Sequence, residues 1–314
     1  MVSIREGSKR TELHETQPFY GRRILITGGA TGTGFEAAKL FHGLGADIVI
    51  GTRSQTNFEK ALEQLGTERT YPFIADITDY LQIRQAVESL RRQNLVPTDI
   101  IFSAAGGMES FMRDFIGALV AVKHAKTPQE KDDLLGEFQQ QADGWAASTR
   151  EASMKVNYEG PVLLIEVLSP SLPRGTKLVD YSSLWSSYLR NVPRFYRSIA
   201  ESKHEFENWL MQYGPLLAEE EIYTAIISGH VVTDSGVGKI TKRYVLPLLP
   251  IENQEVVRRS FITTADMMKA TRQVLESNPS ARAKHPKRLF VANGGQITES
   301  LSPQDPIFSY KLPI

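Results

Sequence analysis

The chain has no cysteine. That removes a disulfide framework, a thiolate metal site and a thiol nucleophile from consideration. It has no excess of either charge, with 36 Lys and Arg against 36 Asp and Glu, so no net field draws it to nucleic acid or to an acidic membrane. No apolar run approaches the length of a membrane span, and Met1 to Gln17 carries no apolar core of the kind a signal peptide needs. The six histidines (His14, His42, His124, His204, His230, His285) show no metal-ligand spacing, so no metal is expected. The short basic clusters Lys242-Arg243 and Lys284 to Arg288 lack an aromatic platform for nucleic acid and read as solvated faces. These absences predict a soluble, cytoplasmic protein without nucleic-acid or membrane partners.

What is present is an alternation. Ile24–Thr27, Asp47–Gly51, Tyr71–Ala75, Asp99–Phe102, Lys177–Ser182, Ile222–Ile227 and Arg288–Val291 read as short buried strands rich in Ile, Val and Leu. Amphipathic segments lie between them, among them Phe58–Leu65, Leu81–Arg92 and Ala265–Leu275, the last two with Asp79 and Thr264 as expected N-caps. The pattern predicts an α/β fold, a single Rossmann-type doubly wound parallel sheet with helices on both faces. A polar extension (1–20) precedes the domain (21–302) and a tail (303–314) follows it.

The first strand breaks into Thr27-Gly28-Gly29-Ala30-Thr31-Gly32-Thr33-Gly34, and an alanine-rich helix begins at once. Glycine permits the dihedrals of a tight turn and a close approach of the main chain to a pyrophosphate. The helix N-terminus behind it offers free N–H groups and partial positive charge. Three glycines alone could be an ordinary strand-to-helix turn; in the first unit of an alternating chain they point to a dinucleotide. The second strand ends Gly51-Thr52-Arg53-Ser54, with no acid for a ribose 2′-hydroxyl. Arg53 offers instead a planar cationic fork suited to a 2′-phosphate, so NADP(H) is the expected cofactor.

Two segments interrupt the rhythm. A helical insertion spans about 108–144, with Thr127-Pro128 as a helix start. It reads either as a solvated helix or as an oligomer contact or active-site wall. After Ile227 the strand signal is lost from Gly229 to Pro250, where a doubly wound sheet carries its substrate pocket.

From about Gly21 to Gly295 the chain resembles the short-chain dehydrogenase/reductase superfamily. Thr27-Gly28-x-x-x-Gly32-x-Gly34 has the family's glycine spacing. Asp76 follows the third strand, and Ser103-Ala104-Ala105-Gly106 is similar to the family's turn after the fourth, with its asparagines replaced. Asn157 matches the asparagine of the long central helix, Ser182-Ser183 closes the fifth strand, and Ser228-Gly229-His230-Val231-Val232-Thr233 resembles the segment on the nicotinamide side. Asn293-Gly294-Gly295 resembles the motif after the last strand. The resemblance implies cofactor contacts from Gly28, Ala30, Thr31, Gly32, Thr33 and Gly34, from Arg53, Ser54, Asp76 and Ile77, and from Ala104, Ala105 and Gly106. It also implies them from Lys203, Gly229, Val231 and Thr233. Ser183, Asn157 and Lys203 take catalytic roles by the same carry-over, and a homo-oligomer (dimer or tetramer) is implied.

The family's Tyr-x-x-x-Lys is broken. Ile199 stands four positions before Lys203, and Tyr196 lies three further back, giving Tyr-x6-Lys. If both sat on one helix, seven steps of roughly 100° would keep them on one face, about 10 Å apart along the axis rather than about 6 Å. That spacing resembles divergent enoyl reductases and predicts reduction of an activated C=C bond, with Tyr196 as proton donor. The alternative stays open that Tyr196, thirteen positions after Ser183, lies just before the helix and serves a carbonyl reductase. A catalytically silent nucleotide-binding sensor or subunit is the third reading. Tyr181 and Tyr188 read as structural, and His204 as a helix-surface residue.

Overall fold

The computed structural model describes residues 17–189, 192–249, 251–278, 286–292 and 295–301. The extension up to residue 16, Asn293-Gly294, His285 and the tail from 302 lie outside the described residues.

Seven strands form one parallel sheet: β1 (Arg23–Thr27), β2 (Asp47–Thr52), β3 (Thr70–Ile74), β4 (Asp99–Phe102), β5 (Lys177–Ser183), β6 (Tyr223–Gly229) and β7 (Lys287–Ala292). Ile24, Leu25, Ile26, Ile100 and Ile101 are fully buried, as continuous apolar runs must be when helices cover both faces. An eighth strand, β8 (Gln296–Thr298), pairs antiparallel with β7 and was not legible in the sequence. Three residues after a turn carry too little pattern to distinguish strand from loop. The order is β3-β2-β1-β4-β5-β6-β7-β8. It reverses between β1 and β4, opening a crevice at their C-terminal ends.

The helices α1 (Gly32–Gly43), α2 (Gln55–Leu65) and α3 (Tyr80–Arg92) follow the first three strands. Asp79 caps α3, its carboxylate accepting from the Leu81 and Gln82 amides. Beyond β4 come α4 (Met112–Lys123) and α5 (Pro128–Met154), which passes through a wide turn at Lys155–Glu159 into α6 (Gly160–Leu168). The Thr127-Pro128 start is as read, the Thr127 hydroxyl accepting from the Glu130 amide. The insertion does not end near 144: no breaker follows, so its helix continues into the one bearing Asn157. A four-residue turn, α7 (Leu184–Ser187), follows β5, and then α8 (Arg197–Glu219). After β6 come α9 (Gly236–Ile240), α10 (Ile251–Arg259) and α11 (Thr264–Glu276).

The N-cap of α11 is Thr263, not Thr264. Thr263 has extended dihedrals and exchanges hydrogen bonds with Asp266 in a capping box, while Thr264 is already helical and bonds the Asp234 carboxylate. The domain also begins earlier than its polar flank suggested. Phe19 is fully buried and meets Phe41 edge-on at 4.9 Å.

Three large apolar clusters occur among the described residues, beside two small ones. One joins α1, α2 and α11 to one face of the sheet, and a second joins α3, α6 and α8 to the other. The third belongs to the insertion. Phe115, Leu119 and Phe138 pack with Phe195 and Ile199, from either side of the start of α8, and with Val245 and Leu248. It sits beyond the C-terminal end of the sheet, where the crevice opens.

Candidate active site

The turn from β1 to α1 presses against the turn after β4. Gly28 has φ +66°, and a Cβ there would lie 2.9 Å from the Ala104 Cα. A Cβ on Gly34 would lie 2.5 Å from the Gly28 carbonyl oxygen. The Thr27 hydroxyl ties the two turns, accepting from the Ser103 and Ala104 amides at 3.1 and 3.2 Å. The N-terminus of α1 therefore faces the crevice with its first amides uncapped by side chains. Gly34→Val is expected to lower stability by about 1–3 kcal/mol through overpacking and to weaken dinucleotide binding. Unfolding midpoints and NADPH titration check this, and unchanged values would refute the close-approach argument.

An outer cavity of about 410 Å³ runs from this turn over the end of β2. Gly28, Thr31, Gly32, Thr33, Arg53, Asp76, Ile77, Ala104 and Ala105 line it, with Asn57, Glu109 and Val156 that the sequence did not single out. Arg53 is exposed at its rim. Asp76 accepts from the Thr78 amide and hydroxyl, which fixes its turn.

An inner cavity of about 200 Å³ adjoins it, with Thr33, Ser103 and Ala105 lining both. Ser183, Tyr196 and Lys203 all reach it, with Gly229, Val231, His230, Trp185 and Met267. Ser183 ends β5 and caps α7, accepting from the Trp185 amide at 3.2 Å. Tyr196 ends a 3-10 turn (Arg194–Tyr196) and is the N-cap of α8. It thus stands at the end of the helix that carries Lys203, and both side chains line the inner cavity. Burial raises the Tyr196 hydroxyl to about 12, and a hydrogen bond with Ser183 acts in the opposite direction. Its ring lies 5.3 Å from that of Trp185. Lys203 is buried in α8 and donates from Nζ to the Tyr181 carbonyl at 2.8 Å.

Other expected site residues stand behind these walls. Asn157, on the wide turn, is buried. Its Oδ1 accepts from the Gly106 amide at 3.0 Å, and its Nδ2 donates to the Gly106 carbonyl and Ser202 hydroxyl at 3.1 and 2.9 Å. It thus clamps the turn after β4 to the helix carrying Lys203, and neither it nor Gly106 lines the outer or the inner cavity. Gly34 and Ala30 pack behind the glycine turn, and Ser54 caps α2 by accepting from the Asn57 amide. Thr233 is not in either wall, because its amide and hydroxyl both donate to the Ile262 carbonyl. His204, expected on the surface, is half-buried and its Nδ1 meets the Ser186 carbonyl at 2.8 Å. Tyr181 turns to the opposite face, its hydroxyl 2.8 Å from that of Thr271. Ile199 is buried in the insertion's cluster.

Sequence reasoning missed the polar layer under α8. Glu207, buried, accepts from the hydroxyls of Ser182 and Ser186 and pairs with Arg288 at 2.8 Å. Asp180 lies in the same layer, buried. A signal existed: Glu207 follows Lys203 by one helical turn, and Asp180 interrupts an apolar strand.

A doubly wound sheet with a glycine-rich first turn and a cleft at its switch point defines a dinucleotide-binding α/β protein. From β1 through α4 the chain is similar to the short-chain dehydrogenases, an oxidoreductase family that uses nicotinamide cofactors. The short chain dehydrogenase family model matches residues 22–124. Short-chain dehydrogenase reductase 5 of Arabidopsis thaliana is 35% identical over 89 residues, 28% of this chain and 34% of that protein. Dehydrogenase/reductase SDR family member 7B of Danio rerio is 27% identical over 234 residues, 69% of this chain and 63% of that protein. The matches thus span about a third and somewhat under two thirds of those relatives. The 3-ketoacyl-(acyl-carrier-protein) reductase of Brucella melitensis, complexed with NADH, superposes with a TM-score of 0.63 at 16% identity, over 88% of this chain and 98% of that one. A short chain dehydrogenase of Shigella flexneri complexed with NADP gives 0.58 at 16% identity, over 88% and 98%. These likenesses show the fold. No described helix is long and apolar enough to cross a membrane, and no metal-holding cluster of His, Asp or Glu occurs among the described residues.

Proposed function

We propose that this chain is an NADP(H)-dependent oxidoreductase that reduces the carbonyl group of a small or medium organic substrate. The carrying observation is that Ser183, Tyr196 and Lys203 line one cavity that adjoins the glycine turn's cavity. Bound nicotinamide supplies the hydride; the chain does the rest. Ser183 and Tyr196 together offer hydroxyl donors to one substrate oxygen. Tyr196 keeps its proton at neutral pH and gives it up as charge develops on that oxygen, assistance worth about 10² to 10⁴ in rate. Lys203 presents its ammonium to the ribose side. The adjoining walls of Leu184, Trp185, Val232 and Val237 suit an apolar substrate body.

Enoyl-type reduction is the second reading, favoured by Ile199 in place of the usual tyrosine and by the seven residues from Tyr196 to Lys203. NADPH oxidation against a panel of ketones and enones separates them. Turnover of ketones alone supports the proposal, turnover of enones alone supports the second reading, and binding without turnover of either supports a silent nucleotide-binding protein. Cytoplasmic location and homo-oligomeric assembly remain part of this proposal.

Arg53 underlies the cofactor preference. At the rim of the outer cavity it has no acidic partner among the described residues. Arg53→Ala is expected to weaken NADPH about tenfold to a hundredfold, as loss of a charge-assisted hydrogen bond of about 1.5–3 kcal/mol does, and to leave NADH almost unchanged. Equal dissociation constants for the two cofactors in the unmodified protein would sink the preference.

A further inference from the structure

Asp180 has no part in the reaction outlined above, and its surroundings are unusual. It lies on the α8 face of β5, 3% exposed. Among the described residues no donor meets its Oδ2. A buried carboxylate oxygen without a donor is costly when charged. The charged groups acting on it are Lys203 and Glu207 from α8 and Arg288 from β7. At the same register, β4 and β6 offer only Phe102 and Ile226. Burial pushes the carboxyl up to about 7, Lys203 pulls it down, Glu207 pushes it up and Arg288 pulls it down.

Lys203 links this layer to the inner cavity. Its ammonium has three donors, and one goes to the carbonyl of Tyr181, the residue after Asp180. Glu207 is already occupied by Ser182, Ser186 and Arg288. The ionised Asp180 therefore competes with a ligand in the cavity for the remaining donors and charge of Lys203. A neutral Asp180 does not.

We propose that Asp180 is a positioning residue that acts through Lys203. Ionised, it draws the ammonium back toward the sheet; protonated, it leaves that group to the cofactor ribose, so that proton uptake from solvent tightens dinucleotide binding. The inference rests on the cofactor reading above and adds to it a pH dependence that the family's glycine motif does not imply.

The test uses the full chain and NADH, because NADPH carries a 2′-phosphate with its own titration near pH 6. Dissociation constants are measured between about pH 6 and pH 8 for the unmodified protein and for Asp180→Asn, which keeps shape and removes charge. The unmodified protein should bind about tenfold more weakly at the upper end, the equivalent of one pKa unit of coupling. Asp180→Asn should bind tightly throughout. His230 also lines the cavity, and a slope it caused would persist in Asp180→Asn, so equal slopes in the two proteins overturn the inference alone. Absence of NADH and NADPH binding at every pH overturns the cofactor reading and this inference with it.

A second measurement needs no cofactor. The folded chain holds the Asp180 proton more tightly than the unfolded chain, so its stabilising contribution is full below about pH 4 and lost as pH rises through about 7. The thermal midpoint of the unmodified protein should fall over that interval, and Asp180→Asn should lack that part of the fall. If Asp180→Asn does not fold, an aspartate carboxyl carbon resonance titrating near neutrality in the unmodified protein supports the inference, and its absence overturns it.

Discussion

Replacing Tyr196 by phenylalanine should lower turnover by about 10² or more while leaving NADPH affinity nearly intact. The change removes one hydroxyl from the inner cavity and keeps the ring against Trp185. Ser183 then remains as the one hydroxyl of the pair in that cavity. Lys203→Ala should instead damage cofactor binding and turnover together, since the proposed reading has its ammonium hold the ribose. Steady-state kinetics and cofactor titration separate the two outcomes. Full activity of Tyr196→Phe on every substrate found would move the proton source to Ser183, Tyr188 or water. Ile199→Tyr restores the usual spacing only on paper. Ile199 is packed among Phe115, Phe138 and Phe195, so a tyrosine there overpacks that cluster, at about 1–3 kcal/mol, before it can reach the cavity.

Glu207→Ala carries the largest expected loss of stability, about 3 kcal/mol, at the lower end of the range for breaking a buried pair because Arg288 keeps some solvent contact. Arg288 loses its carboxylate, and the hydroxyls of Ser182 and Ser186 lose their common acceptor. The loss should reach the active site as well. Ser182 and Ser186 bracket Ser183, so the turn bearing Ser183 and Trp185 loosens and turnover falls beyond what stability explains. Glu207→Gln keeps one acceptor oxygen for the serines and should lie between the two. Denaturant unfolding with activity measured well below the midpoint checks both parts. A loss under about 1 kcal/mol, typical of an exposed pair, would show that water already reaches the layer.

Assembly of the sheet was legible because its strands are buried on both faces. Runs such as Ile24 to Ile26 and Ile100 to Phe102 admit little else, and their ends moved by only a residue or two. Phe19 was not legible, because a single aromatic in a polar flank carries no period. The third cluster escaped for another reason: Phe115, Phe138, Phe195 and Leu248 come from four separate segments. Local pattern records which face of a helix is apolar, not which distant segment will cover it.

The sequence by itself determined the doubly wound architecture, the glycine turn and the cationic side chain at the end of β2, since each follows from local backbone freedom, periodicity or charge. Tertiary structure alone decided the geometry of the reacting groups. Tyr196 stands at the N-cap of α8, and packing brings it to one cavity with Lys203 and with Ser183 from the end of β5. Asn157, read as a site residue, became a clamp because Gly106 and Ser202 consume its amide. Asp180 and Glu207, unremarkable as letters, became a buried charged layer because β5, β7 and α8 bring two acids under Lys203 and Arg288. Side chains far apart in the chain acquire their chemistry only from the neighbours that packing gives them.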